Sequence, residues 1–478
     1  MSDADLADLA DRADLADCIV VGAGVAGLTA ARLLAAAGRR VVVLEARDRV
    51  GGRTHSRRHD GLVTDLGASW IHGIDANPLH AAVAALGMPT TEFSVGSFQP
   101  DSRPIAYYGP DGARLDAAQV EAFAADVRAV DERLAGVIAA SARGTSYETV
   151  AEEALADLAW PADRAERVRE FLRHRTEEQY GVWIGELDAH GLDDDQVEGD
   201  EVVFPEGFDA LALRLAEGLD VRLGQVVTRV EWSADGVVVR CGDQEVRAGR
   251  AIVTVPVGVL RSGTLVIDPP LPEPMAGALD RLEMNAFEKV FLRFPERFWA
   301  ADVYAIRRQG PAASWWHSWY DLTPLHGVPT LLTFAAGPCA RAVRGWSDEA
   351  ITASVLAALR EIHPDADLTP TSVEITRWQD DPFARGSYAY MSVGSTTEDH
   401  DVLATPVAGV LHLAGEATWT EDPATVTAAL RSGHRAAENV LGRAVPIETL
   451  WTDPLATRPA PGGSPGGSAG GSDVDRRG

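Results

Sequence analysis

The apolar pattern near the start of the chain predicts a strand, a helix and a second strand in succession. A short apolar run, Cys18 to Val21, is typical of a buried parallel strand. The alanine- and leucine-rich stretch LTAARLLAAAG then predicts a helix that ends at Gly38. A second apolar run, RRVVVLEA, predicts a strand that ends on Glu45. Together they indicate a βαβ unit.

The turn between the first strand and the helix reads GAGVAG, with Gly22, Gly24 and Gly27 in G-x-G-x-x-G spacing. Gly22 permits the tight turn, Gly24 lets a pyrophosphate approach the backbone, and Gly27 lets the helix pack closely on the strand. The helix N-terminus supplies free amides for the phosphates. Glu45 is placed to accept hydrogen bonds from a ribose and disfavours a 2′-phosphate, so FAD or NAD is predicted rather than NADP.

Later apolar runs predict a second sheet region and a long helix. Residues 225–230 and 251–256, joined by a hairpin, predict neighbouring strands. A strand ending in Gly415-Glu416 is followed by an amphipathic helix. In 386–395 small and aromatic residues alternate, which predicts a strand with two tyrosines on one face.

The composition is that of a soluble globular protein, 46% hydrophobic and 24% charged. We expect two interleaved domains, because 478 residues exceed one ordinary core. We expect no membrane span and no secretory signal. Three widely spaced cysteines predict neither a disulfide framework nor a metal site, which fits a cytoplasmic protein.

The charge balance excludes one class of partner. With 43 basic and 71 acidic residues the net charge is −28, and nucleic acid binding needs a basic surface instead. A field of this sign attracts cations. An acidic surface that merely keeps the protein soluble is the alternative interpretation.

The segments after the second strand separate FAD from NAD. RDRVGGRTHS and then GLVTDLGASWIHG follow, where an NAD enzyme would continue with another crossover helix. Here the sequence resembles the flavin-containing amine oxidases, whose signature reads VVGAGVAGLTAARLL…VVVLEARDRVGGR. GVLHLAGEATW resembles the second flavin motif of that family. The resemblance covers nearly all of residues 17–445 and implies FAD. Some monoamine oxidases of that family join FAD to a cysteine shortly before the substrate tyrosine. This chain has Arg385-Gly386-Ser387 there and no cysteine nearby, so the resemblance implies non-covalent FAD.

The resemblance implies the residues that surround FAD. The Gly-Gly-Arg segment would follow the pyrophosphate and ribityl chain, Val227 would contact the adenine, and Glu416 would bind the ribityl hydroxyls. The N-terminus of the following helix would stabilise the negative charge of the reduced flavin. The whole expected set is Gly22, Gly24, Gly27, Glu45, Ala46, Arg47, Gly51, Gly52, Arg53, Gly67, Ala68, Ser69, Trp70, Val227, Gly415, Glu416, Thr425 and Val426.

Three residues are the expected catalytic group. Lys289, in FEKVFLRF, lies near the start of an apolar strand, an expensive place for an ammonium without a partner or a function. By resemblance it holds a water at the flavin and assists reoxidation by O2; a lysine that reaches solvent from a strand end is the alternative. His72 of GASWIHG resembles the substrate-channel histidine of polyamine and spermine oxidases. Tyr390 is expected to flank the substrate.

The substrate side is predicted from fewer residues. Thr425 stands where many monoamine oxidases carry a second aromatic residue, which favours a wider channel. Glu186 is the candidate acidic contact for a long cationic substrate, and a solvated acidic loop is the alternative. The segment SWWHSWY at 314–320 either lines the channel through cation–π contacts or packs in a core.

These expectations combine into an α/β fold. It is an FAD-binding Rossmann-like domain of the glutathione-reductase type, interleaved with a mixed-sheet α+β substrate domain, the amine oxidase fold. The expected segments are an acidic tail (1–16), FAD-binding segments (17–95, 205–288 and 405–457), substrate segments (96–204, with a helical insertion, and 289–404) and a disordered Gly/Pro/Ser tail (458–478).

The expected reaction is FAD-dependent oxidation of a primary or secondary amine to an imine, with O2 as the second substrate and H2O2 as a product. A polyamine of the spermine and spermidine class is favoured. A monoamine or L-amino-acid oxidase of the same fold and a non-catalytic flavin-binding protein are the alternatives. Histone demethylation is not expected, because the sequence has no long coiled-coil insertion or separate chromatin module.

Overall fold

The computed structural model describes residues 16–94, 104–191 and 198–452, so both expected tails lie outside the described residues except for Ala16, which opens the first strand. In chain order the strands are β1 (Ala16–Val21), β2 (Val41–Leu44), β3 (Ser56–His59), β4 (Leu62–Asp65), β5 (Trp70–Ile71), β6 (Thr91–Glu92), β7 (Ile105–Tyr108), β8 (Val202–Val203), β9 (Asp220–Arg222), β10 (Val227–Ser233), β11 (Gly236–Cys241), β12 (Gln244–Val253), β13 (Val266–Asp268), β14 (Leu282–Met284), β15 (Phe287–Arg293), β16 (Ala305–Arg308), β17 (Ser318–Asp321), β18 (Thr330–Ala336), β19 (Ser372–Ile375), β20 (Ala389–Met391) and β21 (Leu411–Leu413).

Helices occupy other parts of the described chain. They are α1 (Val25–Ala36), α2 (Pro78–Ala85), α3 (Ala117–Ala140), α4 (Tyr147–Asp157), α5 (Ala162–Tyr180), α6 (Asp209–Ala216), α7 (Val257–Arg261), α8 (Glu273–Arg281), α9 (Thr323–His326), α10 (Pro338–Val343), α11 (Asp348–Ile362), α12 (Glu398–Ala404), α13 (Val426–Leu441) and α14 (Thr449–Thr452). Within the described ranges, no helix is both long enough and apolar enough to cross a bilayer.

An eight-stranded sheet forms the first domain. Its order is β13-β10-β11-β12-β1-β2-β9, and β21 pairs with β12. The strands β2, β1, β12 and β21 are parallel, whereas β10, β11 and β12 form the antiparallel hairpin region. These strands come from three separated stretches of the chain, so the domain is assembled by long-range pairing.

The strands predicted for this sheet exist, with shifted ends. The strand expected at 225–230 runs from Val227 to Ser233, and the one expected to end in Gly415-Glu416 is only Leu411–Leu413. Gly415 and Glu416 instead enter a 3₁₀ turn, because Gly415 has a φ of 142° that a strand does not sustain. The turn carries Glu416 off the sheet edge.

The substrate domain is built on a six-stranded sheet with the order β19-β15-β18-β17-β16-β7. Helices α3, α4 and α5 pack beside it around an apolar core of their own. Each of α3 and α4 begins with a side-chain cap, which fixes where the insertion turns. The mixed α/β architecture with two large sheets confirms the expected fold class.

Helices α1 and α13 pack together behind the first sheet. Gly433 permits this close approach, because a Cβ at this position would lie 2.2 Å from the carbonyl oxygen of Ala26. Beside them the buried guanidinium of Arg32 donates to the carbonyls of Leu215 and Leu450, which ties the ends of α6 and α14 to α1. The glycine-rich turn before α1 is thereby held on a rigid base.

Candidate active site

A cavity of about 980 Å³ opens along the carboxyl ends of the parallel strands and extends to the second sheet. The β1–α1 turn and the N-terminus of α13 line one part of it, and β15 and α5 line another. Ligands of open α/β sheets bind at this edge of the strands. The volume suits a large cofactor together with a small substrate.

The three glycines of the turn differ in what surrounds them. Gly22 has a φ of 104°, and a Cβ there would lie 2.6 Å from Oγ1 of Thr254. A Cβ on Gly27 would lie 2.1 Å from the carbonyl oxygen of Gly22, so the helix cannot carry a side chain at this contact. At Gly24 a Cβ would meet nothing within 4 Å, because this residue faces the cavity.

Glu45 follows β2 and lies beside this turn. Its carboxylate accepts from the amides of Ala23 (2.7 Å) and Arg47 (2.9 Å), and the side chain is buried. The amide of Gln225 donates to the Glu45 carbonyl, which brings the start of β10 and Val227 to the same end of the cavity. This is the arrangement expected around a ribose and its adenine.

The Gly-Gly-Arg segment and the GASWIHG segment are packed against each other. The amide of Ala68 donates to the carbonyl of Arg53, and a Cβ on Gly67 would lie 1.8 Å from that oxygen. Arg53 in turn forms an ion pair with Glu416 (2.8 Å). Arg47 forms a bidentate pair with Asp381, with both N–O distances 2.7 Å.

The second flavin motif also lines the cavity, through Gly415 and Glu416. Oε1 of Glu416 accepts from Arg53, whereas the buried Oε2 has no hydrogen-bond partner within the described part of the chain. Thr425 caps α13, accepting from the amide of Ala428 and donating to the carbonyl of Asp422. Thr425 and Val426 line the cavity at this helix N-terminus, where the positive end of the dipole lies.

These residues fit FAD. The open face at Gly24 and the N-terminus of α1 suit a pyrophosphate, and the Glu45 carboxylate suits a ribose. The unpartnered oxygen of Glu416 is an acceptor for a hydroxyl such as those of a ribityl chain. Every residue predicted around FAD lines the cavity except Gly27, whose role is packing.

Lys289 lies on β15 with its ammonium directed at the loop before β5. Nζ donates to the carbonyls of Asp65 (3.0 Å) and Gly67 (2.6 Å) and to the hydroxyl of Ser69. Burial lowers the pKa of Lys289 to about 8, and the charge of Asp65 opposes this shift. The lysine therefore links the substrate sheet to the loop that carries GASWIHG, rather than reaching solvent.

One signal for Lys289 lies in the composition. Of the 43 lysine and arginine residues in the chain, Lys289 is the only lysine. The single lysine is 6% exposed, although lysines elsewhere are mostly surface residues. A count of residue types would have singled it out.

His72 pairs with Glu201 at the cavity. Nδ1 of His72 is hydrogen-bonded to Oε1 of Glu201, and both residues line the cavity. The side chain of His72 is 44% exposed and that of Glu201 only 2%. A hydrogen on Nδ1 makes Nε2 of this imidazole an acceptor. Asp75 and Glu198 line the same part of the cavity.

The acidic contact predicted at Glu186 is not part of this site. Glu186 does not line the cavity, and its carboxylate pairs with Arg341 (2.9 Å), with 41% of its side chain exposed. Glu201 takes the position near the histidine instead. The antiparallel pairing of Ile71 with Val202 sets their neighbours, His72 and Glu201, side by side.

The tyrosine assignment also needs correction. Tyr390 touches the cavity, but its hydroxyl donates to Glu283 and its ring packs in the core of the helical insertion. Tyr388 packs against Phe287, with ring centroids 5.8 Å apart, and donates to the carbonyl of Gln179. The strand β20 begins only at Ala389, so the alternation that placed both rings on one face does not include Tyr388.

Tyr388 ends a row of aromatic rings, of which all but Phe93 and Tyr304 line the cavity. Neighbouring centroids are 4.7 to 6.1 Å apart. This aromatic row comprises Trp70, Phe93, Tyr304, Tyr320, Phe334, Phe287 and Tyr388. Trp316 and Trp319 of the tryptophan-rich segment are core residues, and only Tyr320 of that segment lines the cavity.

Fold and site together define a dinucleotide-binding flavoprotein with a second, aromatic-walled substrate domain. Residues 25–441 match the family model described as flavin containing amine oxidoreductase. The chain belongs to this family, and its cofactor is FAD.

Individual relatives agree with this placement. Lysine-specific histone demethylase 1 homolog 1 of Arabidopsis thaliana is 33% identical over 88% of this chain and 52% of its own length. Polyamine oxidase 2 of Arabidopsis thaliana is 31% identical over 88% of this chain and 87% of its own length. The chain thus spans about half the length of the histone demethylase relatives. A double mutant of putrescine oxidase has a similar structure, with a TM-score of 0.73 and 25% identity over 90% of this chain and 99% of that chain.

Proposed function

We propose that this protein is an FAD-dependent amine oxidase that converts a primary or secondary amine to an imine, with O2 as acceptor and H2O2 as product. The observation that carries the proposal is that two groups of residues share one cavity. The glycine-rich β1–α1 turn and Glu45, here called the cradle, line one wall, and Lys289, Tyr388 and the His72–Glu201 pair line another. When bound, FAD supplies a two-electron acceptor for the hydrogen lost from the α-carbon of the amine. We propose that it is held without a covalent bond, since the three cysteines are buried and do not line the cavity.

The chain's own residues bind and orient the substrate. An amine reaches the cavity as an ammonium and must lose a proton before it can lose hydride. His72 is placed to accept from its nitrogen, and Glu201 holds the imidazole in the tautomer that accepts at Nε2. The aromatic row excludes water and fixes the carbon chain by contact.

A polyamine is the substrate class that the polar groups favour. Asp75 and Glu198 supply carboxylates along the cavity for a second ammonium. An amino acid would need an arginine for its carboxylate. Three of the arginines that line the cavity, Arg47, Arg53 and Arg175, are already paired with Asp381, Glu416 and Asp131. Arg385 and Arg431 also line it, so L-amino acids belong in the comparison set.

A methylated lysine side chain is the second candidate substrate. It is also a secondary or tertiary amine on a carbon chain, and relatives that are 29% to 33% identical carry the name lysine-specific histone demethylase. The polyamine proposal draws instead on polyamine oxidase 2 and on the carboxylates of the cavity.

The test is reduction of the yellow holoprotein without oxygen. Spermine and spermidine are expected to bleach the flavin absorbance, and H2O2 is expected once air is admitted. Phenylethylamine, L-amino acids and a dimethyl-lysine peptide form the comparison set. Faster bleaching by one of these would replace polyamines as the substrate class, and bleaching by none of them would refute the activity.

Lys289→Met tests the oxygen step separately. After chemical reduction, the variant is expected to be reoxidised by air at least about tenfold more slowly, because a buried charge-assisted donor contributes about 1.5–3 kcal/mol. Wild-type rates in the variant would remove Lys289 from the proposed mechanism.

A further inference from the structure

The ammonium of Lys289 meets three acceptors between the end of β4 and the start of β5. The carbonyl oxygens of Asp65 and Gly67 and the hydroxyl of Ser69 each receive one hydrogen of the ammonium. The rings of Trp70 and Phe291 lie over Nζ at 5.5 and 5.9 Å from their centroids. All three hydrogens of the ammonium form are therefore used.

The neutral amine has different requirements. It keeps two N–H donors and gains a lone pair that needs a donor. A peptide carbonyl can only accept, so Asp65 and Gly67 cannot serve the lone pair. A serine hydroxyl can accept or donate, and Oγ of Ser69 lies 3.4 Å from the Asp65 carbonyl and 3.3 Å from that of Gly67. Its hydrogen can point to a carbonyl in one state and to Nζ in the other.

We propose that Ser69 is the positioning residue that holds Lys289 in place both as ammonium and as amine, by reversing the direction of one hydrogen bond. The consequence of this hydrogen bond for catalysis rests on the proposed function, in which Lys289 serves the oxygen step. Both side chains line the cavity, so a change in the protonation of Lys289 changes the charge of the cavity without releasing the lysine from its loop.

The charged groups around Lys289 leave Ser69 as the adaptable partner. The side chain of Asp65 is the charge that acts on Lys289, and this carboxylate accepts from Ser56 and from the amide of Phe208. Glu288, the preceding residue of β15, accepts from the amides of Trp378 and Gln379 on the other side of the strand. Burial of Lys289 brings its pKa to about 8, where both protonation states are populated near neutral pH.

The experiment uses the single lysine of the chain. In FAD-loaded protein grown with isotope-labelled lysine, NMR gives one side-chain signal, whose titration midpoint is that of Lys289. Ser69→Ala is expected to lower this midpoint by about one pH unit, because the ammonium loses a charged hydrogen bond and the amine only a neutral one. Ser69→Thr, which keeps the hydroxyl, is expected to restore it.

Ser387→Ala is the matched control, since Ser387 also lines the cavity but donates to the carbonyl of Phe287. Its midpoint should equal that of wild type. If Ser69→Ala does not fold, Ser69→Cys gives the same comparison, because a thiol is a weak partner and the midpoint should again fall. An unchanged midpoint in the alanine or cysteine variant, or a lowered one in the threonine variant, overturns the proposal.

The result of this titration can be distinguished from the result of the amine oxidation test. The titration requires no amine substrate, so it can succeed in a protein that oxidises none. The pH profile of reoxidation after chemical reduction should move with the NMR midpoint, which a purely structural serine would leave in place.

Discussion

Glu201 is the buried acid that holds His72, whereas Glu186 belongs to an ion pair at the surface. Both glutamates lie in the same acidic stretch of the sequence. The pairing of β5 with β8 sets Glu201 beside His72, whereas Glu186 pairs with Arg341 at the surface. Pairing between residues about 130 positions apart leaves no local pattern, since each strand has only two residues. Lys289, by contrast, could be found because its apolar neighbours make an ammonium unusual.

Glu201→Gln is expected to raise KM for the amine about tenfold and to change kcat less. The amide cannot hold His72 with the charge-assisted hydrogen bond that the carboxylate makes, and such bonds contribute about 1.5–3 kcal/mol. Glu186→Gln is the matched control and should leave both constants as in wild type. Steady-state peroxide release against amine concentration gives them. Equal effects of the two variants would contradict the assignment of Glu201.

At the scale of elements, the cradle was predictable and the aromatic row was not. The β1–α1–β2 unit is specified by adjacent residues, so its glycines and Glu45 could be located from spacing alone. The aromatic row draws rings from β5, β17, β18, β15 and three loops. Its order depends on strand pairing within the six-stranded sheet. The alternation of small and aromatic residues predicts a strand that includes both Tyr388 and Tyr390. Because β20 begins only at Ala389, that pattern does not identify Tyr388 as the tyrosine of the row.

Two alanine substitutions in the cradle are expected to separate cofactor binding from folding. Gly24→Ala suits the φ of −75° and meets no protein atom, so the apoprotein should lose less than about 1 kcal/mol of stability. The new methyl projects into the cavity, and FAD affinity should fall roughly tenfold or more. Gly27→Ala should instead destabilise the apoprotein by about 1–3 kcal/mol or more, since Cβ meets the Gly22 carbonyl. Apoprotein denaturation and FAD titration are the measurements; identical profiles for the two variants would contradict these roles.

At the scale of the molecule, a buried group of charges joins the helical insertion to the substrate sheet. On α5, Glu177 and Glu178 face His317 next to β17, at N–O distances of 3.7 and 3.2 Å, and Arg307 of β16 lies 3.5 Å from Glu178. The ring of His174 stacks on His317, with centroids 3.7 Å apart. The sequence predicts that the insertion is helical, but which charged residues meet between it and the substrate sheet depends on how two remote segments pack together.

This group of charges predicts a loss of stability at alkaline pH. Burial disfavours the charged form of His317, but hydrogen bonds and attraction from Glu177 and Glu178 outweigh it and raise the pKa to about 9. The folded state therefore binds a proton that the unfolded state releases near pH 6.5. This stabilisation, on the order of 3 kcal/mol, is complete below pH 6.5 and is lost as pH rises to 9.

Urea unfolding at pH 6, 7.5 and 9 measures the effect. His317→Gln serves as the reference, because it keeps a polar side chain that does not titrate. Wild type should lose stability relative to this variant as pH increases. If the free energy of unfolding changed with pH equally in wild type and variant, His317 would carry no extra proton in the folded protein.

The solitary lysine has a consequence for durability. Hydrolysis of an imine product releases an aldehyde, and aldehydes condense with lysine amines to form Schiff bases. The one ε-amine in this chain is 6% exposed and engaged by three acceptors, and every other residue in the lysine-plus-arginine total is an arginine. A protein of this composition offers its own product no surface lysine to modify.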